Sequence, residues 1–376
     1  MAEKCKKNCL KGENQLTVLK DVKQDGQARP WREKKMQSLS LSAAYHDIAL
    51  HDIMRWGKFD RNEAEDILQS YIEEPGESWL SALSRKTDGC ADHLEFKQAD
   101  DGGLKLYRAW FCKDRLCPMC NWRRSLKYTA QIAKILAEMQ RQGLKARPIF
   151  LTLTMKNVSA GQIGQSLSEF AASFSRLMAY KAVKTYAVGA IRSSEVTYNS
   201  AEDTWNTHIH CLVWMKPAYF SKGGYLSQAE WTELWKKAAR LDYTPIVHVT
   251  AVKKREPTEK DPSGMFAAVL EVAKYPVKPE SFSHLLMKRW DADLVTELAR
   301  LERIRKLREG LHRKRLISFF GIIKEIHKTL NLEDPEDGDL TDVDTESEKA
   351  VSDEIVVAYW NAEKHDYCIK DGGKKL

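Results

Sequence analysis

The spacing of apolar and polar positions changes period several times along the chain. Tyr128, Ile132, Ile135, Leu136 and Met139 recur at three and four residues and stop at Gly143, which predicts a helix closed by a glycine. Pro148 to Met155 is a β-rich run bounded by proline and by Lys156-Asn157, the pattern of a buried strand. Ile163, Leu167, Phe170, Phe174 and Leu177 return to helical spacing. Tyr186 to Tyr198 and His208 to Met215 flank the polar stretch Asn199 to Thr204 and read as an antiparallel hairpin. Trp231 to Arg240 then reads as helix, Ile246 to Val252 as strand and Met265 to Lys274 as helix. This order predicts an α+β fold built around a central antiparallel sheet flanked by helices.

Helical patterns also run from Ser40 to Trp56 and from Asn62 to Tyr71, ending at Pro75-Gly76. Before them, Met1 to Lys35 is rich in Lys, Gln and Asn without apolar periodicity and reads as a mobile basic arm. A long amphipathic helix follows Trp290 through Leu294, Leu298, Leu301, Ile304, Leu307 and Leu311. The acidic stretch after Leu332 reads as a linker or loop, and Glu354 to Tyr359 as an added edge strand. The chain thus divides into a basic arm (1–40), N-terminal helices (41–84), a cysteine-rich zinc-like module (85–125), a core (126–285), a basic helical region (286–332) and an acidic linker with a C-terminal strand (333–376).

With 376 residues, 43% hydrophobic and 30% charged, the chain can bury a core, which excludes a disordered or fibrous protein. Its apolar stretches are short, and Met1 to Asn14 is polar where a signal peptide is apolar, so the expectation is a cytoplasmic protein with no membrane partner. The net charge is +7, but Glu333 to Glu354 contributes −10 and leaves +17 on the rest. Such a surplus suits a polyanion such as nucleic acid. Arg300 to Arg315 alone holds eight Lys/Arg against two Glu, a face either merely solvated or set against phosphate.

Three clusters could carry chemistry. Cys112, Cys117 and Cys120 fall within nine residues, with Cys90 upstream as a fourth thiolate and His93 as its competitor, a set suited to a closed structural zinc site. Arg123 and Arg124 follow directly and could meet a DNA backbone or form surface salt bridges. His208 and His210 share one face of a strand, because side chains alternate with period two. A turn centred between Glu202 and Asp203 sets Glu195 opposite His210 on that face. Two histidines and a carboxylate with open positions suit Mn²⁺ or Mg²⁺ acting on a phosphoryl oxygen. Glu271 and Tyr275 lie four apart on one helical face, with Lys274 and Lys278 close by, although Pro276 disfavours helix at Tyr275.

Phe150-Leu-Thr-Leu-Thr154, His208-Ile-His210-Cys-Leu-Val and Glu271-Val-Ala-Lys-Tyr275, in this order, resemble the three motifs of the HUH endonuclease superfamily. More narrowly they resemble rolling-circle replication initiators of small bacterial plasmids, single-tyrosine branch, as do Cys112 to Arg124 and Phe320 to Lys328. The resemblance covers roughly Cys90 to Asp339. It implies an HUH nicking core in which Tyr275 attacks a phosphodiester at the double-strand origin, leaving a 5′-phosphotyrosine and a free 3′-OH primer. His208 and His210 would hold the catalytic cation, and Glu271 would activate water or assist the second transfer when the strand is rejoined. Implied partners are plasmid origin DNA, single-stranded or extruded at the nick, and a host helicase and polymerase; a homo-oligomer is left open.

Two other readings use the same residues. A mobilisation relaxase or single-strand transposase keeps the chemistry and changes the biology. A zinc-containing DNA-binding repressor makes the histidines and the tyrosine structural.

Overall fold

The computed structural model describes residues 16–23, 26–57, 60–73, 79–99, 102–221, 223–252, 269, 272–273, 285–286, 293–343 and 351–370. The expected α+β architecture is present, with two five-stranded antiparallel sheets in place of one.

The sheet that positions the site runs β7 (Val247–Ala251), β4 (Arg147–Thr154), β6 (Thr204–Met215), β5 (Ala187–Asn199), β8 (Ile317–Gly321). One face carries Ile149, Leu151, Leu153, Ile209, Cys211 and Val213 and packs on α5 (Ile163–Ala179) and α7 (Gln228–Ala239) through Phe170, Phe174, Trp231 and Trp235. The opposite face carries Ile191, Leu212, Trp214 and Ile317, covered by Tyr128, Ile132 and Ile135 of α4 (Pro118–Arg141) and by Ile323 and Ile326 of α9 (Ile322–Thr329). Between β8 and α9 the chain turns at Gly321, whose φ is +56° and where a Cβ would stand 2.4 Å from the Val188 carbonyl. Only glycine fits there.

The other sheet runs β1 (Leu16–Val18), β10 (Asp366–Lys370), β9 (Val351–Asn361), β2 (His93–Ala99), β3 (Leu104–Ala109). It corrects two expectations. The C-terminal run is not an edge strand: β9 lies between β10 and β2, with Leu94 opposite Ala358. Residues 16–23 and 26–40 are not an arm: β1 pairs with β10, and α1 (Trp31–Gly57) starts at the buried Trp31. Strand β10 thus needs a partner from each end of the chain, which local periodicity cannot announce. The arm proposed for residues 1–15 lies outside the described residues.

Helices α2 (Arg61–Glu73) and α3 (Trp79–Asp88) sit beside α1, and α6 (Lys181–Lys184) is a single turn. The long helix α8 (Leu294–Leu311) buries Leu301, Ile304, Leu307 and Leu311 against α1 and α5. Among the described residues no helix is long and apolar enough to cross a membrane.

Candidate active site and its cysteine module

Strand β6 is the centre of its sheet, so His208 and His210 are held from both sides. Each puts its imidazole on the face shared by Leu212 and Trp214. Glu195 on β5 completes the set: its Oε2 is 3.4 Å from His208 Nε2 and 3.3 Å from His210 Nε2. All three ligand atoms lie within 4.8 Å of one another, and the three side chains are only 7–16% exposed. The register differs from expectation. Glu195 faces His208, and Ser193 faces His210, because the turn centres between Ala201 and Glu202, one residue earlier than assumed, which shifts the pairing by two. A two-residue difference keeps the face, whereas a one-residue slip would have turned Glu195 away.

Two neighbours missed by the sequence reading orient the rings. Asn206 Oδ1 is 3.0 Å from His208 Nδ1, and Thr152 Oγ1 is 3.2 Å from His210 Nδ1. Each Nδ1 is thereby engaged from outside, which leaves both Nε2 atoms facing Glu195. Asn206 was within reach of sequence reasoning, being two residues before His208 on the same face. His248, opposite Thr152 on β7, adds an exposed imidazole to the same row. One carboxylate oxygen and two imidazole nitrogens on one side of the sheet form a group that could hold a metal ion.

Glu271, Lys274, Tyr275, Pro276 and Lys278 lie outside the described residues. Val269, Val272 and Ala273 are described, and they are buried with Ile191, Leu212 and Trp214 on the histidine-bearing face. Ser125 Oγ, on α4, donates to the Ala273 carbonyl at 3.1 Å.

The second cluster is a four-thiol nest. Cys120 Sγ is 3.6 Å from both Cys90 Sγ and Cys112 Sγ, and Cys117 Sγ is 3.7 Å from Cys90 Sγ. A tetrahedron with 2.3 Å metal–sulfur bonds has edges of about 3.8 Å, so the spacing fits a Cys₄ metal site. Cys90 is therefore the fourth member, while His93 is exposed on β2 against the Tyr359 ring. Cys117 caps α4, with Pro118 as its first residue, so the helix N-terminus faces the thiols. Burial raises the Cys90, Cys112 and Cys120 thiols. Burial opposes ionisation at Cys117 too, but hydrogen bonds from Cys112, Cys120, Cys90 and Ser38 hold that thiol well below its ordinary value.

Arg123 and Arg124 are not presented to a partner. They are 3% and 0% exposed. Arg123 donates to the carbonyls of Leu340 and Thr341 at 3.0 and 2.7 Å, and Arg124 to those of Asp114 and Lys113 at 3.0 and 2.5 Å. A buried guanidinium must find acceptors; the loop after α9 supplies those of Arg123, and the cysteine module those of Arg124. That loop is the start of the acidic segment, and it is no loose linker. Glu336 is 2% exposed, pairs with Arg115 and accepts from Tyr128 Oη at 3.1 Å; Lys127 pairs with Glu333.

The fold is thus an α+β protein with two side-chain groups that could hold metal ions, Glu195, His208 and His210 on a central antiparallel sheet and the four cysteines of the nest. The family model described as "Replication protein" matches residues 103–368. "Protein rep" of Streptococcus pneumoniae is 34% identical over 365 residues, 96% of this chain and 99% of that one. "Protein rep" of Bacillus amyloliquefaciens is 38% identical over 372 residues, 95% and 99% of the two chains. A "Replication protein" of Staphylococcus aureus is 43% identical over 251 residues, 65% of this chain and all of that one. The chain belongs to the replication protein family. No solved structure matches it.

Proposed function

We propose that the protein is a plasmid rolling-circle replication initiator, a metal-dependent HUH nickase of the single-tyrosine branch that binds the double-strand origin. The observation that carries this reading is the single Glu195 oxygen within 3.4 Å of both histidine Nε2 atoms. Family membership supports the biological setting. A divalent cation bound to Glu195, His208 and His210 would polarise a phosphoryl oxygen. The phenolic oxygen of Tyr275 forms the new ester bond to phosphorus, and the 3′-oxygen of the preceding nucleotide leaves as the primer hydroxyl. Glu271 serves the second transfer, activating water or the returning 3′-OH at termination. The burial of Val272 and Ala273, which lie between Glu271 and Tyr275 in the sequence, on the histidine face supports this use of the flanking pair.

The Cys₄ nest is proposed as a structural zinc site, since four thiolates leave no open position for chemistry. Origin DNA, a host helicase and a polymerase would be the partners.

The test is incubation with Mn²⁺ and single-stranded fragments of the protein's own replicon, read by denaturing gels and peptide mass spectrometry. A DNA adduct on the peptide containing Tyr275 is expected, and Tyr275→Phe should lose cleavage while keeping DNA binding. No adduct and no cleavage, from folded protein that binds DNA, would favour the repressor reading instead.

A further inference from the structure

The cationic stretch around α8 is largely consumed inside the molecule. Arg300 pairs with Glu297, Arg303 with Asp203, Arg305 with Asp52, Lys306 with Glu309 and Arg308 with Asp114. What remains gathers just past the end of the helix. A cavity of about 370 Å³ is lined there by Lys113, Arg115, Arg308, Arg313, Lys314 and Arg315, with Glu336 and Asp337 on one wall. Arg115 is taken by Glu336, and Arg315 pairs with Asp334 at 2.5 Å. Among the described residues Lys113, Arg313 and Lys314 have no carboxylate partner. Lys113 Nζ reaches only the Asp337 carbonyl, at 2.8 Å, and Lys314 Nζ only Ser168 Oγ, at 2.6 Å.

Two features of this cavity bear on its use. Lys113 and Arg313 come from segments two hundred residues apart, yet both stand in left-handed backbone, at φ +59° and +55°. Ala91, Arg240 and His365 share this conformation, which marks tight turns where glycine is readily accommodated. The second feature is position. Ser194 N donates to the Leu316 carbonyl at 2.8 Å, and Ser193 faces Ile317 across β5 and β8. Continuing that register by two residues brings Arg315 alongside Glu195, and so about two strand spacings, ~10 Å, from His208.

We propose that this cavity binds a backbone phosphate of the DNA strand, so that the strand passes over Arg315 on its way to the metal triad. The proposal rests on the triad being the nicking centre. Lys113, Arg313 and Lys314 supply the charge, while the buried Glu336 carboxylate in the lining is already held by Arg115. A phosphodiester is the fitting occupant because the unpaired groups are all donors.

The experiment measures binding of a labelled oligothymidylate over a range of sodium chloride by the full chain and by Lys113→Gly, Arg313→Gly and the double variant. Glycine suits the left-handed backbone at both positions, so thermal midpoints should hold or rise while the charges are lost. Affinity should fall, and the slope of log K against log salt should shrink by ~0.7 per cation removed, ~1.4 in the double variant. Arg313→Lys should restore the slope. An unchanged slope in the double variant, from wild-type protein that binds the probe and cleaves its replicon strand, overturns the phosphate site and leaves the nicking centre standing. A reduced slope from protein that cleaves nothing keeps the phosphate site and overturns its link to the triad.

Discussion

Removing Asn206 isolates what ring orientation contributes to the metal site. His208 can offer Nε2 to a cation only as the tautomer with its proton on Nδ1, and Asn206 Oδ1, 3.0 Å away, accepts a hydrogen bond from that N–H. Asn206→Ala leaves the ring free to rotate and to change tautomer. Loss of such a supporting partner costs 10- to 100-fold in metal affinity, about 1.4–2.7 kcal/mol. Thr152→Val removes the matching contact to His210, 3.2 Å long, and should cost a similar amount. Glu195→Gln deletes the charge between the two rings and should weaken binding more than either. Isothermal titration with Mn²⁺ ranks the three. Asn206 is half-buried near the hairpin turn, so its loss should change unfolding free energy by under about 1 kcal/mol, which separates orientation from folding. Wild-type Mn²⁺ affinity in Asn206→Ala and Thr152→Val, with loss only in Glu195→Gln, would refute the orienting role. Wild-type affinity in all three would refute the metal site.

Other substitutions probe the frame around it. Asp114, buried, accepts from Tyr45 Oη at 2.9 Å and Leu116 N at 2.8 Å and pairs with Arg308 at 2.5 Å, so Asp114→Ala strands a largely buried guanidinium and should cost about 3–5 kcal/mol in urea unfolding; a cost under about 1 kcal/mol would mean Arg308 finds water. Cys117→Ser should lower bound zinc by elemental analysis and the thermal midpoint together, and full stability in metal-free protein would contradict a structural zinc. His327 lies tilted against Phe319 with ring centroids 4.9 Å apart, its Nε2 buried without a partner among the described residues, and burial, with Arg315 adding to it and Asp334 opposing, holds its pKa below 6.5. The folded state therefore disfavours the proton, so this group costs nothing above pH 6.5, and stability is lost as pH falls from 6.5 through the lower folded pKa. Thermal midpoints at neutral and mildly acidic pH should fall further in wild type than in His327→Leu, and equal falls would locate the acid sensitivity elsewhere.

The local parts of the site were legible because their geometry is periodic. Period two puts His208, His210 and Asn206 on one face whatever the partner strand, and an even error in hairpin register leaves Glu195 there as well. The thiol cluster was legible from spacing, because Cys117 and Cys120 must straddle the first turn of α4. Long-range satisfaction was not. Nothing local says that Arg123 will meet carbonyls at Leu340 and Thr341, or that β9 will enter between β10 and β2. Those outcomes depend on which distant segment covers a buried donor or an open strand edge.

Charge shows the same divide between amount and placement. A surplus of +17 outside the acidic segment suggests a broad DNA-binding surface. In the fold, Arg300, Arg303, Arg305 and Arg308 answer carboxylates on their own helix, the β5–β6 turn, α1 and the cysteine module. Arg123, Arg124 and Lys127 hold down the loop that begins the acidic segment. These cations order the molecule and release no counterions when DNA binds. If the whole surplus met phosphate, the salt slope for a single strand would approach ~12, whereas three unpaired cations at the cavity predict ~2 from that site. A measured slope of ~2–4 places the footprint beside the triad; a slope near ~12 returns it to the whole basic surface and requires the internal ion pairs to open on binding.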